Sequence, residues 1–325
     1  MSEKAGIYVG FFISDNGNMK TRIYVDGYNF YYGCLKGTPY KWLNPLTLFS
    51  QHIIPSSAQP LHQPSSLDIR YFTARISGKV ARNDHSVNDQ NTYLRALEAL
   101  YPEDVLSIIE GYFSVSDTEA FKIDVNNPQL APRFCEKVKI WKLEEKQSDV
   151  NIAVEALFDA LTETDIEQLI FVTNDTDIAP VMRKIRKHTN KTLGLIVPTK
   201  PNTRPPSSKL IDYADWTRHS IKNYELKASQ MPRVIAKSSR ATLRKSIIKP
   251  TSWYGHPELL SKIFDTLQPC MKGKVNKVWQ WLETEKPNVE GLPILDKLPI
   301  EMLDTVEDAN AVLAHAIAYA YYHQR

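Results

Sequence analysis

Residues 168–180, QLIFVTNDTDIAP, decide the fold of this chain. Residues 169–172 form a continuous apolar run, which is typical of a strand that is covered on both faces. Pro180 stands where the first turn of the next helix is expected, because proline fits the first helical positions. We therefore expect Asp175 and Asp177 at the carboxyl end of a central strand.

Strand and helix patterns alternate on either side of this segment. Further strands are predicted at residues 23–25, 67–72, 106–109 and 193–197, with a short strand or edge ribbon at 138–141. Helices are predicted at residues 29–35, 91–100, 148–161 and 210–213, the third of them with Ser148 as its N-cap. This alternation indicates an α/β fold in which a mainly parallel sheet lies between two helical layers.

The composition changes after residue 226. Seven lysines and arginines occur between residues 226 and 249 without one aspartate or glutamate. Helical patterns then return, at residues 259–267, 275–282 and 309–321. We predict an α/β domain at residues 20–225, a basic linker at 226–254 and a small C-terminal all-α domain at 255–325.

The bulk properties limit the class of protein. With 325 residues, 42% hydrophobic and 24% charged, the chain is an ordinary globular protein, and its net charge of +3 leaves any affinity for nucleic acid to local clusters. Three widely spaced cysteines exclude a disulfide framework and a paired zinc site, which predicts a reducing, cytoplasmic location. Residues 6–13 are apolar but too short to cross a membrane. Residues 1–18 precede the first strand and are an extension or an over-called start, to which we assign no function.

Four carboxylates carry the predicted chemistry. Asp26 ends the first strand, Asp149 lies in the first turn of a helix, and Asp175 and Asp177 follow the central strand. Because ligands bind beyond the carboxyl ends of parallel strands, these acids are expected to converge, and crowded oxygen ligands suit Mg²⁺ or Mn²⁺. Each acid also has a simpler role, as a turn residue, a helix-dipole partner or a helix cap.

Three blocks of sequence resemble a known family. They are residues 26–29 (DGYN), residues 148–151 (SDVN) and residues 173–180 (TNDTDIAP). Together they are similar to the signature blocks of NYN domains of the LabA type, in the PIN-like superfamily, over about residues 21–220. One departure is Asn174, where many relatives carry glycine.

The resemblance implies a PIN-like three-layer α/β/α nuclease domain that depends on Mg²⁺ or Mn²⁺. It implies that the metal ligands and catalytic acids are Asp26, Asp149, Asp175 and Asp177. Asn29 would then orient metal-bound water or phosphate. In this scheme a metal-activated water hydrolyses the phosphodiester bond.

Basic side chains near this edge are candidates for binding the nucleic-acid backbone. They are Arg183, on the helix after the central strand, and Lys200, Arg204 and Lys209, in or after the loop that follows the next strand. A solvated helix face is an equally good explanation for the helix. Tyr28, Tyr31 and Tyr32 could stack on bases, but their helical spacing favours a place in the core, so they are not included in the site.

The last part of the chain has a weaker resemblance. Residues 278–282 (VWQWL), 286–288 (KPN) and 298–305 (LPIEMLDT) resemble the toxin-binding domain of Xre/MbcA/ParS antitoxins, over about residues 258–322. This implies a module that binds a protein partner or self-associates. An ordinary helical bundle explains the pattern equally well.

The expected function is therefore a ribonuclease that hydrolyses RNA, in a toxin–antitoxin or phage-defence context. Two alternatives stay open at this point. One is a non-catalytic RNA- or protein-binding regulator with a vestigial acidic site. The other is a nuclease that acts on DNA, because nothing in the acidic cluster reads a 2′-hydroxyl.

Overall fold

The computed structural model describes residues 19–59, 62–78, 81, 85–235 and 246–323. Residues 1–18 and the middle of the basic linker, 236–245, lie outside the described residues. The strands are β1 (Met19–Asp26), β2 (Pro64–Ala74), β3 (Leu106–Phe121), β4 (Lys137–Lys146), β5 (Gln168–Val172), β6 (Thr192–Ile196), β7 (Trp216–Arg218), β8 (Val234–Ile235) and β9 (Ile247–Ile248).

Seven of these strands form one sheet, in the order β4-β3-β2-β1-β5-β6-β7. All neighbours pair in parallel except β3 and β4, which are antiparallel. The predicted mainly parallel sheet is confirmed, and β5 lies beside the central strand β1. Strand β3 is much longer than the predicted 106–109, because only its start is buried and the remainder pairs with β4 as a largely solvated ribbon.

The helices are distributed along the chain between and after the strands. They are α1 (Gly27–Phe30, continued by a π-helical turn at Tyr31–Leu35), α2 (Pro45–Thr47, continued by one at Leu48–Ile53), α3 (Ser86–Leu100), α4 (Ser148–Thr162), α5 (Ala179–His188), α6 (Ser208–Ile211), α7 (Asn223–Ala228), α8 (Pro257–Cys270), α9 (Val275–Thr284) and α10 (Val306–His323). The predicted N-cap of α4 is wrong: Gln147 holds that position with a φ of 77°, and the Ser148 hydroxyl donates to Glu145 instead.

Both faces of the sheet are covered. Side chains alternate along a strand, so Ile23 and Val25 of β1 point into one core, with α1, α2 and α3. Tyr24, between them, points into a second core with α4 and α5. This is the predicted three-layer α/β arrangement; the finer PIN-like assignment stays a prediction.

Helices α8, α9 and α10 enclose a separate apolar cluster that includes Ile263, Trp281 and Val312. The predicted all-α character of the C-terminal part is confirmed, while the domain boundaries stay a prediction. Polar contacts join this part to the rest of the chain: Lys227 pairs with Asp304 at 2.7 Å, and Arg233 pairs with Glu283.

No helix in the described ranges is both long and apolar enough to cross a bilayer. The cytoplasmic location stays a prediction.

A buried polar network fixes helix α4 on the sheet. The Arg22 guanidinium on β1 contacts Asp68 of β2 at 2.7 Å and Asp159 of α4 at 2.9 Å. The Tyr24 hydroxyl donates to the same Asp159 carboxylate at 2.7 Å. Asp159 therefore accepts the buried Tyr24 hydroxyl and supplies one of the two carboxylates that neutralise Arg22.

We expect Asp159→Ala to lower the free energy of unfolding by about 3 kcal/mol, because it leaves a desolvated guanidinium with one partner fewer and a buried hydroxyl unsatisfied. Urea unfolding followed by circular dichroism measures this. Asp165→Ala is the control, because it removes only the exposed pair with Lys20 and should leave the midpoint unchanged. Equal midpoints for both variants would show that the network does not fix α4.

Candidate active site

Asp26 lies at the junction of β1, α1 and the end of β5. Its carboxylate accepts the backbone N–H of Asn29 at 2.9 Å, which caps α1, and the Thr173 hydroxyl at 2.9 Å. The side chain is buried, and this burial raises its pKa to about 7, with further contributions from Asp149 and Glu145. Asp26 is therefore a carboxyl group that gains or loses a proton near neutral pH.

The other predicted acids lie at the same edge but point to solvent or cap a turn. Asp175 accepts the backbone N–H of Asp177 at 3.0 Å, and Asp177 is exposed. Asp149 lies in the first turn of α4, where partial burial and then the charges of Asp175 and Asp177 raise its pKa. Within the described ranges, no three Asp, Glu, His or Cys side chains form a group that could hold a metal ion. The acids are electrostatic neighbours, and the roles predicted for them individually stay predictions.

The two asparagines of this edge hold a loop in place. The Asn29 side chain accepts the backbone N–H of Asn174 at 3.3 Å. Asn174 accepts the backbone N–H of Ser207 at 2.9 Å and donates to the Pro205 carbonyl at 3.1 Å. The asparagine that departs from the family pattern thus has a clear role, since it ties the loop after β6 to the end of β5.

The predicted nucleic-acid contacts are spread over two helices and a loop. Arg183 is exposed on α5, Arg204 is exposed in the loop after β6, and Lys209 is exposed on α6. Lys200 is half-buried at the start of that loop. Binding of RNA by these residues, and of a protein partner or a second copy by the helical part, remains a prediction.

A cleft of about 240 Å³ opens beside Asp26, on the other side of Gly27. Its walls come from α1 and its π-helical turn, β2, α3, β3 and the segment before α8. Gly27 is required here, because a Cβ atom at this position would lie 2.5 Å from the Phe72 carbonyl oxygen. The aromatic lining consists of Tyr28, Tyr31, Tyr32, Tyr71, Tyr93, Phe113 and Trp253.

The three tyrosines of α1 and its π-helical turn are the functional candidates that the sequence argument left out. Tyr28, Tyr31 and Tyr32 are 44%, 38% and 47% exposed, so their predicted place in the core is wrong. The buried face of this segment carries Phe30 and Cys34 instead. The signal was the residue type: tyrosine keeps a hydroxyl in water, whereas phenylalanine takes the core position.

Large rings packed at steep angles to one another form another part of the lining. Trp253 lies 5.6 Å from Tyr93 and 6.1 Å from Trp42, between ring centroids. Tyr71 is hydrogen-bonded to Tyr93, and burial raises the pKa of Tyr71, so its hydroxyl stays protonated. Tyr93 donates in turn to the Leu43 carbonyl at 3.0 Å. This wall is rigid and suits a planar aromatic molecule.

A few polar groups interrupt the aromatic lining. Gln90 donates to the Ala74 carbonyl at 3.0 Å and accepts the backbone N–H of Ile76 at 2.7 Å, so its side chain is fixed. The Asp89 carboxylate accepts the Ser252 hydroxyl at 2.5 Å. The polar lining consists of Lys41, Thr73, Ser86, Asp89, Gln90 and Ser252.

Nothing at this edge resembles a dinucleotide-binding turn. The turn after β1 contains the single glycine Gly27, and the twelve glycines of the chain nowhere take the GxGxxG spacing. The buried Asp26 carboxylate also occupies the start of α1, where a pyrophosphate would need a positive field.

The raised pKa of Asp26 predicts a pH-dependent stability. The folded protein keeps this proton up to about pH 7, whereas the unfolded chain releases it near 3.8, so wild-type stability falls as the pH rises through this interval. Asp26→Asn removes the dependence, and above pH 8 it should be more stable than the wild type by up to about 4 kcal/mol. Thermal unfolding at pH 5 and pH 8 tests this. If the difference in stability between wild type and Asp26→Asn is the same at both pH values, Asp26 does not keep its proton in the folded protein.

Comparisons with known proteins connect this geometry to an activity. No protein-family model matches the chain. A curated relative from Pseudomonas putida, the 6-hydroxy-3-succinoylpyridine 3-monooxygenase HspA, is 43% identical over 312 residues, which cover 93% of this chain and 95% of the relative. A crystal structure of a protein of unknown function from Vibrio parahaemolyticus covers 65% of this chain and 96% of its own, with 19% identity and a TM-score of 0.35.

The relative corrects the functional expectations. A monooxygenase that matches both parts of the chain contradicts the NYN ribonuclease, the resemblance to an antitoxin domain and the dependence on Mg²⁺ or Mn²⁺. The DNA nuclease and the non-catalytic regulator have no support either. The physical reason is that acids at strand ends are used here as caps and tethers, so their pattern alone does not specify a metal site. The roles assigned to individual acids remain predictions. The chain belongs to the family of the 6-hydroxy-3-succinoylpyridine 3-monooxygenase HspA.

Proposed function

We propose that this protein is a monooxygenase that acts on a hydroxypyridine ring bearing an acyl chain that ends in a carboxylate. The observation that carries the proposal is the 43% identity over 93% of the chain to the relative whose name gives such a substrate. In a monooxygenase reaction one atom of O₂ enters the organic substrate and the other leaves as water. Two electrons and two protons come from an external reductant, for which we name the reduced nicotinamide class.

The cleft supports this substrate class by its size and its walls. Its volume of about 240 Å³ lies just below the range of roughly 300–1,000 Å³ that is usual for ligand pockets, so a single-ring molecule suits it better than a dinucleotide. Tyr28 and Tyr32, whose centroids are 4.5 Å apart, and Trp253 offer ring faces for stacking. We assign the cleft to the aromatic substrate.

A monooxygenase activates oxygen with a redox group, and a flavin-type group is favoured over Mg²⁺ or Mn²⁺. The described edge does not fit a flavin dinucleotide, because it lacks the glycine-rich turn and presents the Asp26 carboxylate instead. We therefore route no step through a flavin, and we assign roles only to the residues that shape the substrate site.

Asp26 acts in this proposal as a positioning residue. It fixes the start of α1 through Asn29 and joins it to the end of β5 through Thr173. Tyr28, Tyr31 and Tyr32 are part of α1 and its π-helical turn, so their placement depends on this cap. Asn29 adds the link to the loop after β6.

The activity is tested with the purified protein, 6-hydroxy-3-succinoylpyridine, NADH and ¹⁸O₂, with and without added flavin. We expect NADH oxidation that depends on the substrate, and a product that carries one ¹⁸O atom by mass spectrometry. Heat-inactivated protein is the control. A product whose new oxygen comes from H₂¹⁸O, or no product in either flavin condition, would contradict the proposal.

Removing one aromatic wall should weaken substrate binding. We expect Tyr32→Ala to raise KM by roughly 10-fold with a smaller change in kcat, because stacking on a ring contributes about 1 kcal/mol or somewhat more. Tyr321→Ala is the matched control, since Tyr321 is 72% exposed on α10 and does not line the cleft. Steady-state kinetics measure both. Equal KM values for the two variants would show that the substrate does not bind in the cleft.

A further inference from the structure

We propose that Lys41 binds the carboxylate of the substrate, so that the cleft selects aromatic molecules with an anionic side chain over neutral ones. This inference deepens the proposed function and rests on it for the identity of the substrate. The argument for a carboxylate subsite comes from the position and charge environment of Lys41.

The backbone that carries Lys41 is held firmly. The next two residues, Trp42 and Leu43, are completely buried in the core beneath the cleft. The Trp42 indole N–H donates to the Pro232 carbonyl at 2.8 Å, and Leu43 forms a β-bridge with Gln230. The Lys41 side chain therefore leaves a fixed point and enters the wall of the cleft.

The ammonium group has an aromatic neighbour but no anionic partner. Its Nζ lies 5.7 Å from the centroid of the Trp253 ring. Across the described part of the chain it forms neither an ion pair nor a hydrogen bond, and the attraction of Asp89 acts at longer range. Burial lowers the pKa of Lys41, and Asp89 opposes this shift. A desolvated cation without a partner is unfavourable. A bound carboxylate would supply the ion pair that the protein does not provide.

A second buried lysine, Lys249, lies close enough to Lys41 to act on it electrostatically. The ammonium of Lys249 repels that of Lys41, and burial is the main reason that the pKa of Lys249 is lowered to about 8. Asp304 attracts Lys249 but is already paired with Lys227 at 2.7 Å. Asp89, the acid of the cleft itself, accepts the Ser252 hydroxyl. The nearby Lys249 therefore favours an anionic ligand at Lys41, whereas Asp89 opposes it.

The arrangement also orients the ligand. Lys41 lies against Trp253, whereas Tyr28 and Tyr32 pack against each other on α1 and its π-helical turn. A carboxylate held at Lys41 places the ring at the end of its acyl chain among these aromatic side chains. The flexible chain between the two anchors then determines how far the ring extends toward β1 and Gly27.

Isothermal titration calorimetry without reductant measures binding separately from turnover. The ligands are 6-hydroxy-3-succinoylpyridine and 3-acetyl-6-hydroxypyridine, which keeps the ring and the ketone but lacks the carboxylate. We expect Lys41→Met to weaken binding of the acid by roughly 10- to 100-fold and to leave binding of the neutral ligand unchanged. Lys41→Arg should retain most of the affinity for the acid.

Lys36→Met is the matched control, because the Lys36 ammonium also lies over a tyrosine ring, that of Tyr32 at 4.6 Å, but Lys36 does not line the cleft. It should leave both affinities unchanged, and circular dichroism verifies that every variant is folded.

Equal affinity of wild type and Lys41→Met for the acid overturns the proposal, as does an equal loss for both ligands. Loss of acid binding without any oxygenation by the wild type supports the carboxylate subsite and rejects the monooxygenase. Oxygenation by the wild type, together with unchanged binding of the acid by Lys41→Met, supports the monooxygenase and rejects the carboxylate subsite.

Discussion

The hydrogen bonds of the buried Asp26 carboxylate are the interaction on which the site depends. One oxygen caps α1 through Asn29, and the other accepts the hydroxyl of Thr173 at the end of β5. A carboxyl group in an apolar position is unfavourable when charged, and its raised pKa reflects this. The junction holds two neighbouring strand ends and the first helix together, and the first tyrosine of the cleft, Tyr28, follows Asp26 by two residues.

The second determinant of the cleft is a segment that is distant in sequence. Ser252 and Trp253 precede the helical part of the chain, yet they contact Asp89 and Tyr93 of α3. The segment just before α8 therefore contributes directly to the site, and the pair between Lys227 and Asp304 ties the helical part that follows to the rest of the chain.

Local patterns predicted most of the fold and little of the site. The apolar run at residues 169–172 and the position of Pro180 specified β5 and the start of the next helix, because burial and helix geometry act over a few residues. The same segment misled the functional argument. Asp175 has the same position in the sequence whether it binds a metal or only accepts the N–H of Asp177, so the sequence pattern does not distinguish these roles. The cleft itself could not be predicted, since Trp253 meets Tyr93 only after folding.

The most direct measurement is a crystal structure of the protein with 6-hydroxy-3-succinoylpyridine bound. The account predicts the pyridine ring between Trp253 and the tyrosines of α1, with the carboxylate within hydrogen-bond distance of the Lys41 ammonium. A ligand bound at the acidic edge near Asp149 and Asp177, with the aromatic cleft occupied only by solvent, would contradict it.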